Sequence, residues 1–411
     1  MVWDYWLFAG ALAWSLTTPA LASSQTSAEA AAEESTKDSF PACIERFQKT
    51  AEAEGLTSAV VQSSIADLKW SERVIELDRR QPEFTTPFSD YLDRRVTQQR
   101  VADGRRLLRE HRKLLTRVEQ QYGVPAPYLV AFWGLETNYG SFFGKMSVLD
   151  SLATLACDKR RSQYFTRELM SALRIIDEGA IEAKNMEGSW AGAMGHVQFM
   201  PSVFLRHAVD YDGDRKRDLW NSLPDAMASA ANFLSSMGWD DDYRWGREVL
   251  LPEGFDYLSA GLKHKRPLSE WQEMGVRQTS GAALPDEPIQ AALLVPSGHK
   301  GPAFLVYDNF KVIMGWNQSE YYALAVGHMA DRIAGAGKLH NPPPGNSPRL
   351  NREQVITLQE TLKSKGFDVG DVDGIWGPAT RRALSQYQDK QGMVPDGFPN
   401  QEVLDALGVG T

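Results

Sequence analysis

Residues Pro125 to Gly140 place one charged side chain, Glu136, in a long uncharged run (Pro-Ala-Pro-Tyr-Leu-Val-Ala-Phe-Trp-Gly-Leu-Glu-Thr-Asn-Tyr-Gly). Pro125 and Pro127 suit the start of a helix and Gly140 suits its stop. Between them Leu129, Phe132 and Trp133 fall on one helical stripe. Glu136 shares that face, at i+7, i+4 and i+3 from the three. A fold built on this helix must pair the carboxylate or keep it protonated, because a bare buried charge is costly. Burial raises a carboxyl pKa, and a raised pKa makes a general acid usable near neutral pH. A Glu salt-bridged at a helix end satisfies the same pattern, and the helix alone does not separate the two readings.

About fifty residues later, Gly188-Ser-Trp-Ala-Gly-Ala-Met-Gly-His-Val-Gln-Phe-Met-Pro201 combines three glycines with aromatic and hydrogen-bonding side chains. Glycine lets backbone approach a ligand closely, and aromatic rings stack on flat ligand faces. Alone, this is equally a Gly-rich packing site. With the Glu136 segment it resembles the lytic murein transglycosylases of the B type. Further matching stretches are Gln81-Pro-Glu-Phe84, Leu152-Ala-Thr-Leu155 with Arg160-Arg161, and Trp316-Asn-Gln-Ser319 with Tyr322-Ala-Leu-Ala-Val326. The resemblance spans about residues 40–335, and several long motifs in one order are more specific than any single one.

The resemblance implies a mainly α fold: a lysozyme-like helical catalytic domain, a small antiparallel β subdomain and a glycan groove. It implies a peptidoglycan lytic transglycosylase in which one Glu, matched by Glu136, does both proton transfers. That residue protonates the oxygen between N-acetylmuramic acid and N-acetylglucosamine. It then serves as base to the muramyl C6 hydroxyl, which closes a 1,6-anhydro ring. One carboxyl can act as acid and then as base, whereas a hydrolase ordinarily needs a second one opposite. Ser189 and Gln198 match positions beside the acid, and Asn317 and Tyr322 match sugar contacts. Trp316 and Phe233 stand where some members have Tyr, which keeps stacking and loses the phenolic hydrogen bond. Arg160 and Arg161 match a pair facing peptide or muramyl carboxylates, with two solvated helix charges as the alternative. The rival activities are a true muramidase on the same bond and a non-catalytic wall-binding protein.

Residues 7–18 form a short apolar run, and Ala20-Leu-Ala22 fits a signal-peptidase site. Residues 1–22 therefore read as an export signal to the periplasm, although Asp4 stands where Lys or Arg is usual. No Cys follows the run, so no lipid anchor is expected there. The net charge of −9 gives no basic excess for nucleic acid. The expected partners are peptidoglycan glycan strands, with other wall enzymes as candidates. Of the two cysteines, Cys43 and Cys157, one bridge is possible in an oxidising compartment, with two buried thiols as the alternative.

Residues 23–39 are rich in Ser, Ala and Glu and read as a disordered leader. Residues 40–249 read mostly as helices, one of them with Phe165, Leu169, Leu173 and Ile176 on a face. Residues 291–295, 303–307 and 310–314 read as three short strands, and 318–333 as helix again. Residues 336–349 have linker composition. Residues 350–409 then resemble the three-helix peptidoglycan-binding domain, with Gly370-Asp-Val-Asp-Gly-Ile-Trp-Gly377 between helices that begin near Val355 and Pro378.

One acidic loop carries no catalytic role in this reading. Asp210, Asp212, Asp214 and Asp218 occupy positions 1, 3, 5 and 9 of an EF-hand-like array, with the Lys216 carbonyl at position 7. Arg215 replaces the usual Gly, Asn221 replaces the closing Glu, and Asp225 is the candidate to close the loop. A structural Ca²⁺ is expected, with no cofactor for catalysis. The alternative is a loop of Asx turns.

Overall fold

The computed structural model of the protein describes residues 37, 39–79 and 86–410. The export signal, most of the leader and the Gln81–Phe84 stretch lie outside the described residues. In chain order the first helices are α1 Phe40–Ala53, α2 Ser58–Ile65, α3 Glu72–Arg79, α4 Phe88–Arg95, α5 Gln98–Glu110, α6 Arg112–Tyr122 and α7 Ala126–Thr137. Strand β1 Met146–Ser147, α8 Val148–Cys157, α9 Ser162–Asp177, β2 Glu187–Gly188, α10 Pro201–His207 and α11 Leu223–Ser236 follow. Next come β3 Gly246–Leu250, β4 Arg266–Pro267, α12 Leu268–Glu273, β5 Arg277–Gln278, β6 Gln290–Leu294, β7 Ala303–Val306, α13 Asp308–Trp316 and α14 Glu320–Ile333. The last three are α15 Arg352–Ser364, α16 Pro378–Lys390 and α17 Gln401–Leu407. The chain is thus mainly α with a small antiparallel sheet. It divides into two compact units, one from the regions before residue 81 and 110–236, the other from 81–109 and 237–411.

In the first unit α7 is the central helix. The sequence pattern predicts one apolar stripe, but every residue of α7 except Pro127 is buried. A sequence uncharged apart from Glu136 allows this: with no polar face to keep wet, the helix is enclosed rather than laid on a surface. Helix α8 packs on α9 and α9 on α10. Cys43 in α1 and Cys157 at the end of α8 are joined by a disulfide, with Cα atoms 6.1 Å apart.

In the second unit five strands run antiparallel in the order β4-β6-β7-β3-β5. Leu293 pairs with Leu305, and Val249 with Ala303. Their inner face packs on Trp271, Leu268 and Phe255. The apolar run 310–314 is helical, not a third strand. Phe310, Val312 and Ile313 point inward while Lys311 is exposed. A five-residue apolar run fits either period, and the Asp308-Asn309 pair starts a helix instead of making a hairpin turn.

The C-terminal module packs three helices on a core of Val355, Leu358, Leu362, Leu384 and Leu404. Two buried glutamines brace its loops. Gln359 donates to Asp373 Oδ1 and the Ile375 carbonyl and accepts from Gly374 N–H. Gln388 does the same for Asp396, Phe398 and Gly397. Residues 336–349, expected as a linker, lie inside the second unit and are pinned: His340 and Asn341 N–H both donate to the Glu248 carboxylate, and Asn341 Nδ2 donates to the Gly301 carbonyl. The module itself touches the rest of that unit through Arg381–Glu320 at 2.7 Å and His299–Asp396 at 2.6 Å.

Candidate active site

Glu136 stands on the last turn of α7 and is 4% exposed. Immediately after it the backbone turns left-handed three times, with φ of 48° at Asn138, 61° at Tyr139 and 76° at Gly140. Left-handed backbone costs a non-glycine residue roughly 1–2 kcal/mol, so the turn needs support. Asn138 and Tyr139 N–H donate to the Gly134 and Trp133 carbonyls, and Asn138 Nδ2 donates to Ser141 Oγ at 2.9 Å. Thr137 Oγ1 accepts from Gly140 N–H and donates to the His196 carbonyl at 2.9 Å. At Gly140 only glycine fits, since a Cβ there would lie 2.4 Å from the His196 ring. The sequence Thr-Asn-Tyr-Gly therefore reverses the chain directly behind the acid and ties it to the Gly-rich loop.

That loop folds on itself. Ser189 N–H donates to the Ala193 carbonyl, while Ser189 Oγ accepts from Ala191 and Ala193 N–H, which leaves its hydroxyl proton to donate elsewhere. Gln198 has φ of 50°; its Nε2 donates to the Phe143 and Gly195 carbonyls, leaving Oε1 as an acceptor. Both residues are 5% exposed. Gly144 fits under Gly188 where a Cβ would meet the Gly188 carbonyl at 2.0 Å. Helix α7 and the loop are joined again by Trp133 Nε1–H, which donates to His196 Nδ1 at 3.0 Å. Burial holds His196 down at about 4, from an ordinary 6.5, so its ring is neutral and keeps Nδ1 as an acceptor. Sequence reasoning missed His196; its place inside the Gly195–Pro201 motif was the available signal.

Phe233 stands edge-on to Phe199 of the loop, with centroids 5.5 Å apart, and tilts over His207. The structure thus brings Ser189, Gln198 and Phe233 to one loop system braced by the Glu136 helix. Arg160 and Arg161 are placed differently. Both guanidiniums are held by buried Asp78; Arg160 also donates to the Asp78 carbonyl at 2.8 Å, and Arg161 lies over the Phe165 ring. A carboxylate 2% exposed needs its countercharges nearby, so the pair serves to anchor α3. In the second unit, Trp316 ends α13 and is half-buried. Asn317 Oδ1 accepts from Ser319 N–H, and Ser319 Oγ caps α14 at Tyr322 N–H. Asn317 and Tyr322 are both 4% exposed, on one tight helix–helix corner.

Of the acidic loop, Asp210, Asp212 and Asp214 bring carboxylate oxygens within 4.8 Å of one another on the surface. Asp218 and Asp225 lie outside that trio. Asp225 is fully buried and accepts from Tyr211, Asp212 and Asp218 N–H. Burial raises its pKa, partly opposed by those bonds. Asp218 accepts from Trp220 and Asn221 N–H. Lys216 N–H donates to Asp214. Arg215 takes the left-handed backbone, φ 73°, that the loop requires there. Arg217 turns away to Glu178 and the Phe204 ring. Three clustered carboxylates fit a hard cation.

Residues 39–331 match the family described as Transglycosylase SLT domain, and residues 351–407 match a peptidoglycan binding domain family. The chain is 33% identical over 253 residues to "Membrane-bound lytic murein transglycosylase B" of Escherichia coli (strain K12), covering 59% of this chain and 66% of that relative's length. The crystal structure of SltB3 from Pseudomonas aeruginosa in complex with NAG-anhNAM-pentapeptide superposes with a TM-score of 0.87 at 44% identity, over 90% of this chain and 99% of that one. The Escherichia coli lytic transglycosylase Slt35 in complex with calcium superposes with a TM-score of 0.61 at 30% identity, over 71% and 92%.

Proposed function

The chain belongs to the SLT transglycosylase family, and from that premise we propose that it is a peptidoglycan lytic transglycosylase whose single catalytic acid is Glu136. The observation that carries the mechanism is the fate of the other acids. The buried carboxylates described in the first unit are Asp78, Glu136, Glu168 and Asp225. Asp78 is paired with two arginines, Glu168 accepts from Ser202 N–H and Oγ–H, and Asp225 holds loop amides. None of these three is left to act as a second carboxyl opposite Glu136. That supports the anhydro-forming route, in which Glu136 protonates the glycosidic oxygen and then takes the C6 hydroxyl proton of the same muramic acid.

In this reading Ser189 donates its hydroxyl, and Gln198 offers Oε1, to the sugar beside Glu136. Asn317, Tyr322 and Trp316 supply further sugar contacts. The C-terminal module holds the protein on the wall, and residues 1–22 direct export to the periplasm. Asp210, Asp212 and Asp214 would hold a Ca²⁺ that stabilises the loop and takes no part in the reaction. Mass spectrometry of fragments released from purified sacculi tests the activity. The expected products carry 1,6-anhydro ends, and reducing ends would make the protein a muramidase.

A further inference from the structure

In the second unit, the first two residues of α14 are both held from outside the helix. Glu320 Oε2 lies 2.7 Å from Arg381 Nη2 of α16, with side chains 11% and 26% exposed. Tyr321 packs on Phe88, with ring centroids 5.1 Å apart, and its hydroxyl donates to the Pro296 carbonyl at 3.3 Å. Pro296 lies in the β6–β7 loop, which the C-terminal module grips a few residues on. His299 N–H donates to Asp396 Oδ2 at 2.9 Å, and His299 Nδ1 lies 2.6 Å from the same oxygen. The other oxygen, Oδ1, accepts from Gln388 Nε2 and Phe398 N–H, which fixes how Asp396 is aimed.

Two glycines set how closely these parts approach. Gly298 has φ of 69°, and a Cβ there would lie 2.6 Å from Asp396 Oδ2. Gly397 has φ of 66°, and its Cβ would lie 2.8 Å from the Arg381 carbonyl. The Asp396 turn therefore packs directly on α16 at Arg381. The module holds the start of α14 twice, at Glu320 directly and at Tyr321 through the loop, and the two grips meet at one backbone contact.

The residues flanking Glu320 and Tyr321 form the corner assigned to sugar. Asn317 Oδ1 accepts from Ser319 N–H at 3.0 Å, and Ser319 Oγ accepts from Tyr322 N–H at 3.3 Å. With Oδ1 so engaged, Asn317 keeps Nδ2 as its donor for a ligand. A fully exposed ion pair does little, but the Glu320 carboxylate is mostly buried. A displaced helix start moves Asn317 and Tyr322 together, and small misplacements of binding groups are costly. We propose that Arg381 is a positioning residue for the transglycosylase reaction: acting through Glu320, it fixes the Asn317–Tyr322 corner against which the sugar is held. The inference rests on the assignment of that corner to substrate given above. It gives the module a task on soluble glycans, where raising local concentration at a wall brings no gain.

The test uses the full chain and the Arg381→Met variant, which keeps an apolar stem without the charge. On a soluble NAG-NAM oligosaccharide, KM should rise about three- to tenfold, the loss expected of one or two sugar hydrogen bonds, with kcat within about twofold. Arg381→Lys, which keeps a cation, should recover part of that loss. In a Glu320→Ala background, Arg381→Met should raise KM no further, as required of a residue that acts through Glu320. Hydrogen exchange gives a readout independent of turnover. The Tyr322 and Ala323 amides, both bonded to Ser319, should exchange at least about threefold faster in Arg381→Met, while those of α9 in the first unit keep their rates. An unchanged KM beside an active wild type, a loss confined to kcat, or unchanged exchange at Tyr322 and Ala323 overturns the proposal. If the wild type leaves the oligosaccharide intact while exchange responds as expected, Arg381 still positions the corner and the peptidoglycan-cleaving reading falls.

Discussion

Glu136 owes its setting to neighbours that do no chemistry. Thr137, Asn138 and Gly140 turn the chain behind it, and Trp133 and Thr137 fix the Gly-rich loop to its helix. Glu136→Gln should remove turnover by at least the ~10²–10⁴ typical of a general acid while leaving sacculus binding intact; more than about a tenth of wild-type kcat would sink the assignment. His196 sets a pH dependence. Its ring is neutral in the folded state because burial depresses its pKa to about 4 from 6.5. The unfolded chain takes up that proton first, so the associated stability is present above about pH 6.5 and lost as pH falls toward 4. Replacing the ring by His196→Asn, which keeps an acceptor for Trp133, should flatten part of the melting-temperature decline between pH 7 and 5. An unchanged slope would remove His196 from the account. The acid was legible from sequence because a lone charge in an apolar run is conspicuous. His196 was not, because its importance lies in a contact with Trp133 sixty-three residues away.

At the scale of elements, the acidic loop brings three of its alternating acids, Asp210, Asp212 and Asp214, together at the surface. Alternating acids identified the loop, but only the fold reveals that Asp225 and Asp218 are occupied by backbone amides. Added Ca²⁺ should raise the melting temperature, by mass action worth about 2.7 kcal/mol at a hundredfold excess over Kd. The Asp212→Ala, Asp214→Ala double variant should abolish the shift, and identical melts in EDTA and millimolar Ca²⁺ would leave the loop a set of turns. The run 310–314 failed as a strand for a different reason. Short apolar runs carry no period of their own, and packing around Phe310 and Ile313 decided it. Helix α7 begins where Pro125 and Pro127 place it, but it ends at Thr137 with Asn138 as a left-handed cap, short of the Gly140 that the sequence offers as its stop.

At the scale of the whole molecule, the module is not merely tethered. Its Arg381 reaches Glu320 at the start of α14, close in sequence to Asn317 and Tyr322, and Asp396 grips His299. Composition marked 336–349 as a spacer, but composition cannot report that Glu248 waits to receive two of its amides. Deleting residues 341–411 should weaken binding to insoluble peptidoglycan by lowering local concentration. It should also lower the melting temperature, since Glu320 and His299 lose their partners; an unaltered melt would mean that the docking contributes nothing. The disulfide acts at a similar range. Closing a span of 114 residues constrains the unfolded chain by about 5 kcal/mol in loop-entropy terms. Thiol titration of exported, denatured protein should find no free thiol. Two cysteines admit one intrachain pairing and no wrong isomer. Mispairing can then occur only between chains, so the quality of oxidative folding is readable as the fraction of covalent dimer on a non-reducing gel.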